Sequence, residues 1–124
     1  KLNCRNILFL NDDIFYMKHN KKYDLIISNP PYIPISEIKD LDIDVILHDP
    51  LSSLTDFGDG LKFYKYLASI GNKLLNNNGL MFFEFGGKTQ KSLLKNIFNL
   101  KNYKLKFFND LNNSPRFLAI QLCN

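Results

Sequence analysis

The chain has no apolar run long enough to cross a bilayer and no signal peptide. Cysteine is scarce: Cys4 and Cys123 are the only two, with no C-x-x-C spacing between them. That excludes the thiolate zinc patterns and fits free thiols in a reducing compartment better than a disulfide. No G-x-G-x-x-G turn joins a strand to a helix. The usual dinucleotide fingerprint is therefore missing. Gly86-Gly87 comes nearest but has the wrong spacing, and no acidic residue follows about 20 positions later to take a ribose. No internal repeat is visible.

What is present describes one small α/β domain. The length is 124 residues, and 45% hydrophobic with 14% aromatic content supports a packed core. The net charge is +4, and its lysines are spread along the chain. Such a mildly basic surface tolerates acidic or nucleic-acid partners without forming a dedicated patch. The richness in Asn, Lys, Ile and Phe reads as mutational bias as much as function. The short Asn76-Asn77-Asn78 run belongs to that bias.

Local patterns give the order of elements. Ile7-Leu8-Phe9-Leu10 reads as a buried parallel strand ending at Asn11-Asp12-Asp13. Asp24 to Ser28 reads as a second strand, apolar at Leu25, Ile26 and Ile27 and so covered on both faces. Ser36 to Leu41 opens as a short helix, and His48-Asp49-Pro50 is extended chain. Thr55 to Gly60 is a turn-rich loop, and the whole Ile35–Gly60 connection is long enough to expect a lid or binding loop. Leu61, Tyr64, Leu67, Ala68, Gly71, Leu74 and Leu75 form a helical stripe stopped by Asn76-Asn77-Asn78-Gly79. Leu80 to Phe85 is a third buried strand, broken by Gly86-Gly87. A helix from Lys88 or Thr89 carries Leu93, Leu94, Ile97 and Phe98 on one face. Lys104 to Phe108 and Phe117 to Leu122 follow without an intervening helix, so they pair antiparallel.

The chemistry concentrates at Asn29-Pro30-Pro31-Tyr32. Two prolines lack the N–H groups a ladder needs, so the chain leaves the sheet rigidly at Asn29. The C-terminal end of a strand is where open α/β sheets bind ligands. The Asn29 carbonyl and the Pro30 carbonyl are two acceptors able to converge on one NH2 group, and Tyr32 adds a flat face. The lone pair of a planar amide or exocyclic amine is delocalised and a poor nucleophile. Holding both hydrogens favours a tetrahedral nitrogen and stabilises the charge that develops on it. One well-placed group of this kind is worth about 3–4 kcal/mol.

Asp24 to Pro34 resembles the fourth strand and (Asn/Asp/Ser)-Pro-Pro-(Tyr/Phe) motif of S-adenosylmethionine-dependent amino-methyltransferases. Asp13-Ile14-Phe15, Asn29 to Pro34, Glu37, Asp49-Pro50, Leu54, Gly58-Asp59-Gly60-Leu61, Tyr64 and Leu74-Leu75 fall in order. Gly79, Glu84, Gly86, Gln90 and Asp110-Leu111 to Pro115-Arg116 continue that order. Together they resemble the HemK/PrmC family of release-factor glutamine methyltransferases. The resemblance implies a partial Rossmann-like class I methyltransferase sheet, α/β and mostly parallel, with an antiparallel C-terminal strand pair. Residues 1–124 would be the C-terminal portion of one such domain.

The same resemblance implies methyl transfer from S-adenosylmethionine to the glutamine of a release factor's Gly-Gly-Gln loop. Asn29 and Pro30 would be catalytic and accept the two amide hydrogens, with Pro31 and Tyr32 shaping the slot. Asp13 and Ile14 would contact the cofactor adenine and Asn29 its methyl. Glu84 would end a strand beside the site, and Arg116 would approach the substrate or bridge to Asp110. His48 reads as a loop residue rather than a base. No metal is implied, a monomer is expected, and the compartment is wherever translation terminates. The Asn-rich bias and the Pro115-Arg116-Phe117-Leu118 ending lean towards an organellar form.

The family's glycine-rich cofactor motif, two strands and helical recognition domain fall outside these residues. Weak cofactor binding, poor stability and an apolar edge at Asp24–Ser28 are the expected consequences. Two other readings stay open. One is an N-methyltransferase acting on adenine or guanine of DNA or RNA, with the target base flipped. The other is a non-catalytic truncated remnant. Isoleucine-proline after Tyr32 and the lack of a basic, aromatic-interleaved recognition segment favour the protein substrate.

Overall fold

The computed structural model describes residues 6–99 and 103–122. Cys4 and Cys123 lie outside these described residues. The elements in order are β1 (Tyr23–Ser28), a 3-10 helix (Ile35–Asp40), α1 (Ile43–His48), α2 (Leu51–Leu54) and α3 (Lys62–Leu74). Then come β2 (Leu75–Glu84), α4 (Lys88–Asn99), β3 (Tyr103–Asn109) and β4 (Pro115–Leu122). The sheet order is β1-β2-β4-β3. β1 and β2 are parallel, while β4 opposes both β2 and β3. Three strands thus share one direction, and the β3–β4 hairpin closes the sheet as the absence of an intervening helix requires.

One face of this sheet carries the core. Along β2 the inward positions are Met81 and Phe83; their partners Ile120 and Leu118 on β4 are equally buried. On β1 only Ile26 packs against them. α3 lies over this face because Tyr64, Leu67, Ala68, Gly71 and Leu74 recur at helical spacing and are all buried. α4 adds Leu94 and Phe98. Tyr64 reaches through the core to donate its hydroxyl proton to the Glu84 carbonyl at 2.6 Å, which fixes α3 against the end of β2. Phe83 touches both Tyr64 and Phe98, with ring centroids 5.9 and 6.3 Å away.

Four expectations are corrected. Ile7–Leu10 forms no strand, and Leu8 and Phe9 are 78% and 89% exposed. Four apolar residues make a strand only where a neighbour completes the ladder, and none lies beside them among the described residues. β1 is not covered on both faces: Leu25 and Ile27 are 52% and 71% exposed on the side facing away from α3. β1 stands at the sheet edge, as the apolar edge expected for Asp24–Ser28 requires. His48 is not extended but ends α1, with its Nδ1 2.8 Å from the Asp44 carbonyl; Asp49, before Pro50, is the extended residue at ψ 135°. Finally, Asn76–Gly79 does not precede β2 but bulges within it. Tyr23 pairs with Leu75 and Leu25 with Leu80, so extra residues loop out of β2, helped by Asn78 at φ 64°.

No helix among the described residues is long and apolar enough to cross a membrane. The two faces of the sheet should answer mutation differently. Phe83→Ala, in the covered face, is expected to cost about 3–5 kcal/mol. Ile27→Ala, on the open face, should change stability by less than about 0.5 kcal/mol. Urea denaturation of both variants measures the contrast, and equal losses would mean the open face is covered in solution.

Candidate active site

Asn29 ends the β1 ladder directly after Ser28, which pairs with Phe83. Pro30 is buried and Asn29 exposed. Beyond the end of β1 lies a cleft of about 600 Å³ lined by Asp12, Asp13, Ile14 and Phe15 from the segment before β1 and by Ser28, Asn29, Pro30 and Pro31 from the β1 exit. Its far wall comes from the loop before α3 and the first turns of α3, including Asp56, Phe57, Lys62 and Phe63. The expected cofactor residues Asp13 and Ile14 and the expected catalytic pair Asn29 and Pro30 therefore share one cavity. Tyr32 does not line it. Tyr32, Ile33 and Pro34 line a second cleft of about 600 Å³ with Glu37, Asp59, Gln90 and Arg116. Pro30 and Pro31 line the first cleft and not the second.

The segment carrying Asp13 is held by aromatic packing rather than by a sheet. Phe15 lies 4.8 Å, centroid to centroid, from both Phe63 and Tyr66 of α3, and the Lys62 ammonium sits 4.6 Å above its ring. The Asp13 carboxylate accepts the Phe15 N–H at 2.9 Å, and its carbonyl accepts from Tyr16 and Met17. His19 Nε2 lies 3.2 Å from the Ile14 carbonyl and 3.1 Å from the Tyr66 hydroxyl. Ile14 is thereby placed against the core beside the cleft.

Asp56, which has no signature in the sequence beyond its place among turn residues, organises the opposite wall. Its carboxylate accepts the N–H groups of Gly58, Gly60 and Lys62 at 2.8, 3.0 and 2.9 Å. Thr55, buried, accepts the Phe57 N–H through its hydroxyl. Phe57 consequently takes φ 60°, a left-handed conformation unusual for an aromatic residue, and stands exposed at the rim. The loop docks on the chain just after the Asn29–Tyr32 turn through two backbone bonds, Ile33 N–H to the Leu54 carbonyl and Ile35 N–H to the Gly58 carbonyl.

Tyr32 is fixed by charged neighbours. Its hydroxyl donates to Glu84 Oε1 at 3.0 Å and accepts from Arg116 Nη1 at 3.2 Å. Arg116 Nε also lies 3.7 Å from the Asp110 carboxylate, so it bridges Asp110 and reaches the site residue as well. Partial burial, then the Glu84 carboxylate, raise the Tyr32 pKa above the ordinary 10.0, against a smaller opposing effect of Arg116. Burial raises Tyr64 further still. Both phenols stay protonated at neutral pH. His48 lines neither cleft.

The sign of these shifts fixes a pH response. A phenol whose folded pKa exceeds its unfolded value contributes stability fully below the unfolded value, and loses it as pH rises through the folded one. Stability is expected to fall as pH rises past 10.0, the ordinary tyrosine value, and Tyr64→Phe should be less stable at neutral pH yet flatter above it. Urea midpoints measured from about pH 8 to about pH 11 check this; an unchanged slope in Tyr64→Phe would assign the response elsewhere.

Residues 2–117 match the family model described as Eco57I restriction-modification methylase. The chain is 37% identical over 119 residues to a release factor glutamine methyltransferase of Bacillus subtilis, covering 92% of this chain and 41% of that protein. It is 38% identical over 91 residues to a protein of the same name from Fusobacterium nucleatum, covering 73% of this chain and 26% of that one. The chain thus spans less than half the length of these curated relatives. Among solved structures, a protein-(glutamine-N5) methyltransferase (release factor-specific) from Alicyclobacillus acidocaldarius superposes with a TM-score of 0.54 at 22% identity. The overlap covers 85% of this chain and 52% of that one and shows a shared fold.

Proposed function

The chain belongs to the Eco57I restriction-modification methylase family, and from that footing we propose that it forms the acceptor side of a methyl-transfer site. The methyl comes from S-adenosylmethionine and goes to the side-chain amide nitrogen of a glutamine in a peptide-chain release factor. The observation that carries this reading is the placement of Asn29 and Pro30, at a rigid strand exit, in the same cleft as Asp13 and Ile14. The similarity to release factor glutamine methyltransferases supports the choice of acceptor.

The cleft has the chemistry of an adenosine seat. Asp12 and Asp13 offer carboxylate acceptors, and Ile14 and Phe15 offer apolar surface for a flat base. Bound S-adenosylmethionine would supply an electrophilic methyl group, its sulfonium–methyl bond breaking as the nitrogen–carbon bond forms and leaving the neutral thioether S-adenosylhomocysteine. The protein's own part is at the acceptor. The Asn29 side-chain oxygen and the Pro30 carbonyl take the two hydrogens of the glutamine amide. Held so, the nitrogen presents its electron pair to the carbon as it pyramidalises, and the two acceptors stabilise its growing positive charge. After the bond forms, one of the two held hydrogens leaves as a proton to water, so the reaction needs no strongly perturbed base. The Gly-Gly-Gln loop is the segment of release factor we assign to this slot. The reaction belongs wherever translation terminates.

The family description favours a second reading, an exocyclic amine of adenine or guanine in nucleic acid. Both acceptors are planar NH2 groups, so the same turn serves either. Transfer of labelled methyl by the intact polypeptide that carries this chain separates them. Label is expected in release factor and not in DNA or RNA, and lost when the acceptor glutamine is replaced by alanine. Label in nucleic acid alone would overturn the protein reading. Asn29→Ala should lower kcat by about 10²–10³ with the fold intact, in the range found for removing one preorganised polar group. Residues 1–124 alone are expected to bind S-adenosylmethionine weakly or not at all; micromolar affinity in a calorimetric titration would contradict that.

A further inference from the structure

The catalytic turn is tied into the fold at both ends. Upstream, the β1–β2 ladder holds Ser28. Downstream, one buried side chain does comparable work. Gln90, in the first turn of α4 and 5% exposed, donates from Nε2 to the Tyr32 carbonyl at 2.6 Å. Its Oε1 accepts the Gly86 N–H at 2.8 Å. A buried amide between a carbonyl and an N–H is satisfied in one orientation only, so these neighbours fix which end is the NH2.

The space around this bridge is kept open by two glycines. A Cβ on Gly60 would lie 2.1 Å from the Tyr32 carbonyl oxygen and 2.9 Å from Gln90 Nε2, at φ +73°. A Cβ on Gly86 would lie 3.0 Å from Gln90 Oε1 and 3.2 Å from the Tyr32 ring. No side chain fits at Gly60 without displacing Tyr32 backbone, and one at Gly86 would press on the bridge. Gln90 does not line the cleft that holds Asn29.

We propose that Gln90 is a positioning residue. Its amide fixes the Tyr32 carbonyl, and two rigid proline rings transmit that position to the Pro30 carbonyl and the Asn29 amide. The inference rests on reading Asn29 and Pro30 as the acceptors of the substrate's NH2 hydrogens. It adds that their aim is set from α4, outside the cleft. A 1 Å misplacement at a reacting centre costs roughly 100-fold in rate, so the bridge is large enough to matter.

Gln90→Glu isolates the bridge. An ionised carboxylate keeps the acceptor for Gly86 N–H but has no proton for the Tyr32 carbonyl; the protonated acid regains one. In the intact polypeptide that carries this chain, Gln90→Glu should lose roughly 100-fold in kcat at pH values where the new carboxyl is ionised, above a pKa that its burial raises. The KM for S-adenosylmethionine should stay at the wild-type value. Activity relative to wild type should return as pH falls through the new carboxyl's pKa. Gln90→Met, which lacks both bonds, should lose as much without recovery at low pH. Wild-type kcat in Gln90→Met, or in Gln90→Glu across the whole pH range, overturns the proposal, as does a Gln90→Glu loss that does not depend on pH. Melting curves identify a variant that fails to fold, and the other variant then decides.

A readout independent of the acceptor separates this claim from the functional one. The Asn29 side-chain amide resonances should shift in Gln90→Glu as pH rises through the new carboxyl's pKa and return in acid, while those of the β3–β4 hairpin stay in place. Asn29 resonances that do not move overturn the positioning role whatever the substrate. Failure of the wild-type polypeptide to methylate release factor overturns only the functional reading.

Discussion

Pro30 and Pro31 have no amide hydrogen, and this constraint organises the molecule. β1 cannot continue past Ser28, so the chain must turn away where β2 is still running to Glu84. Ser28, Asn29, Pro30 and Pro31 line a cleft at that exit. Everything that follows is placed relative to that exit. The Ile35–Gly60 connection folds back on it through Ile33 and Ile35, and α3 begins from the same loop.

Rigidity at the turn comes from tertiary contacts as much as from the prolines. Tyr32 is held at its hydroxyl by Glu84 and Arg116 and at its carbonyl by Gln90. These partners come from β2, β4 and α4, three elements that also build the core. Core packing and site geometry are therefore the same structure seen from two sides. Tyr64 shows this directly, because its ring fills the core while its hydroxyl caps the Glu84 carbonyl. A buried carbonyl without that donor would lose a hydrogen bond with no water to replace it.

The sheet is asymmetric. One face is closed by α3 and α4, and the other presents Leu25, Ile27, Leu80, Phe82 and Phe108 with no helix over it among the described residues. Phe82 stacks on Phe117, with centroids 5.8 Å apart and planes at 18°, so the open face protects part of its own apolar area. The family model that matches is named for restriction-modification methylases, while the curated relatives are named release factor glutamine methyltransferases; a glutamine amide and an adenine amine are both flat NH2 groups.

Local chemistry was enough to locate the strand exit, the α3 stripe, the β3–β4 hairpin and the turn-forming Thr55–Gly60 loop. Each depends on neighbours in sequence: missing N–H groups, helical spacing, or strands joined without a helix. Asn29 and Pro30 could be singled out for the same reason, since the strand exit is visible in one dimension, whereas Asp13 and Ile14 were named through the family resemblance and not through a strand end. What only the tertiary structure decided was pairing and coverage. Among the described residues, Ile7–Leu10 had the composition of a strand but no partner, and Leu25 and Ile27 had the composition of a core but no helix above them. The roles of Asp56 and Gln90 were hidden for a related reason. A carboxylate that gathers three backbone amides, or an amide that bridges Gly86 to Tyr32, is defined by groups brought near it in space. Residue type states what a side chain can donate or accept; only the fold states to whom.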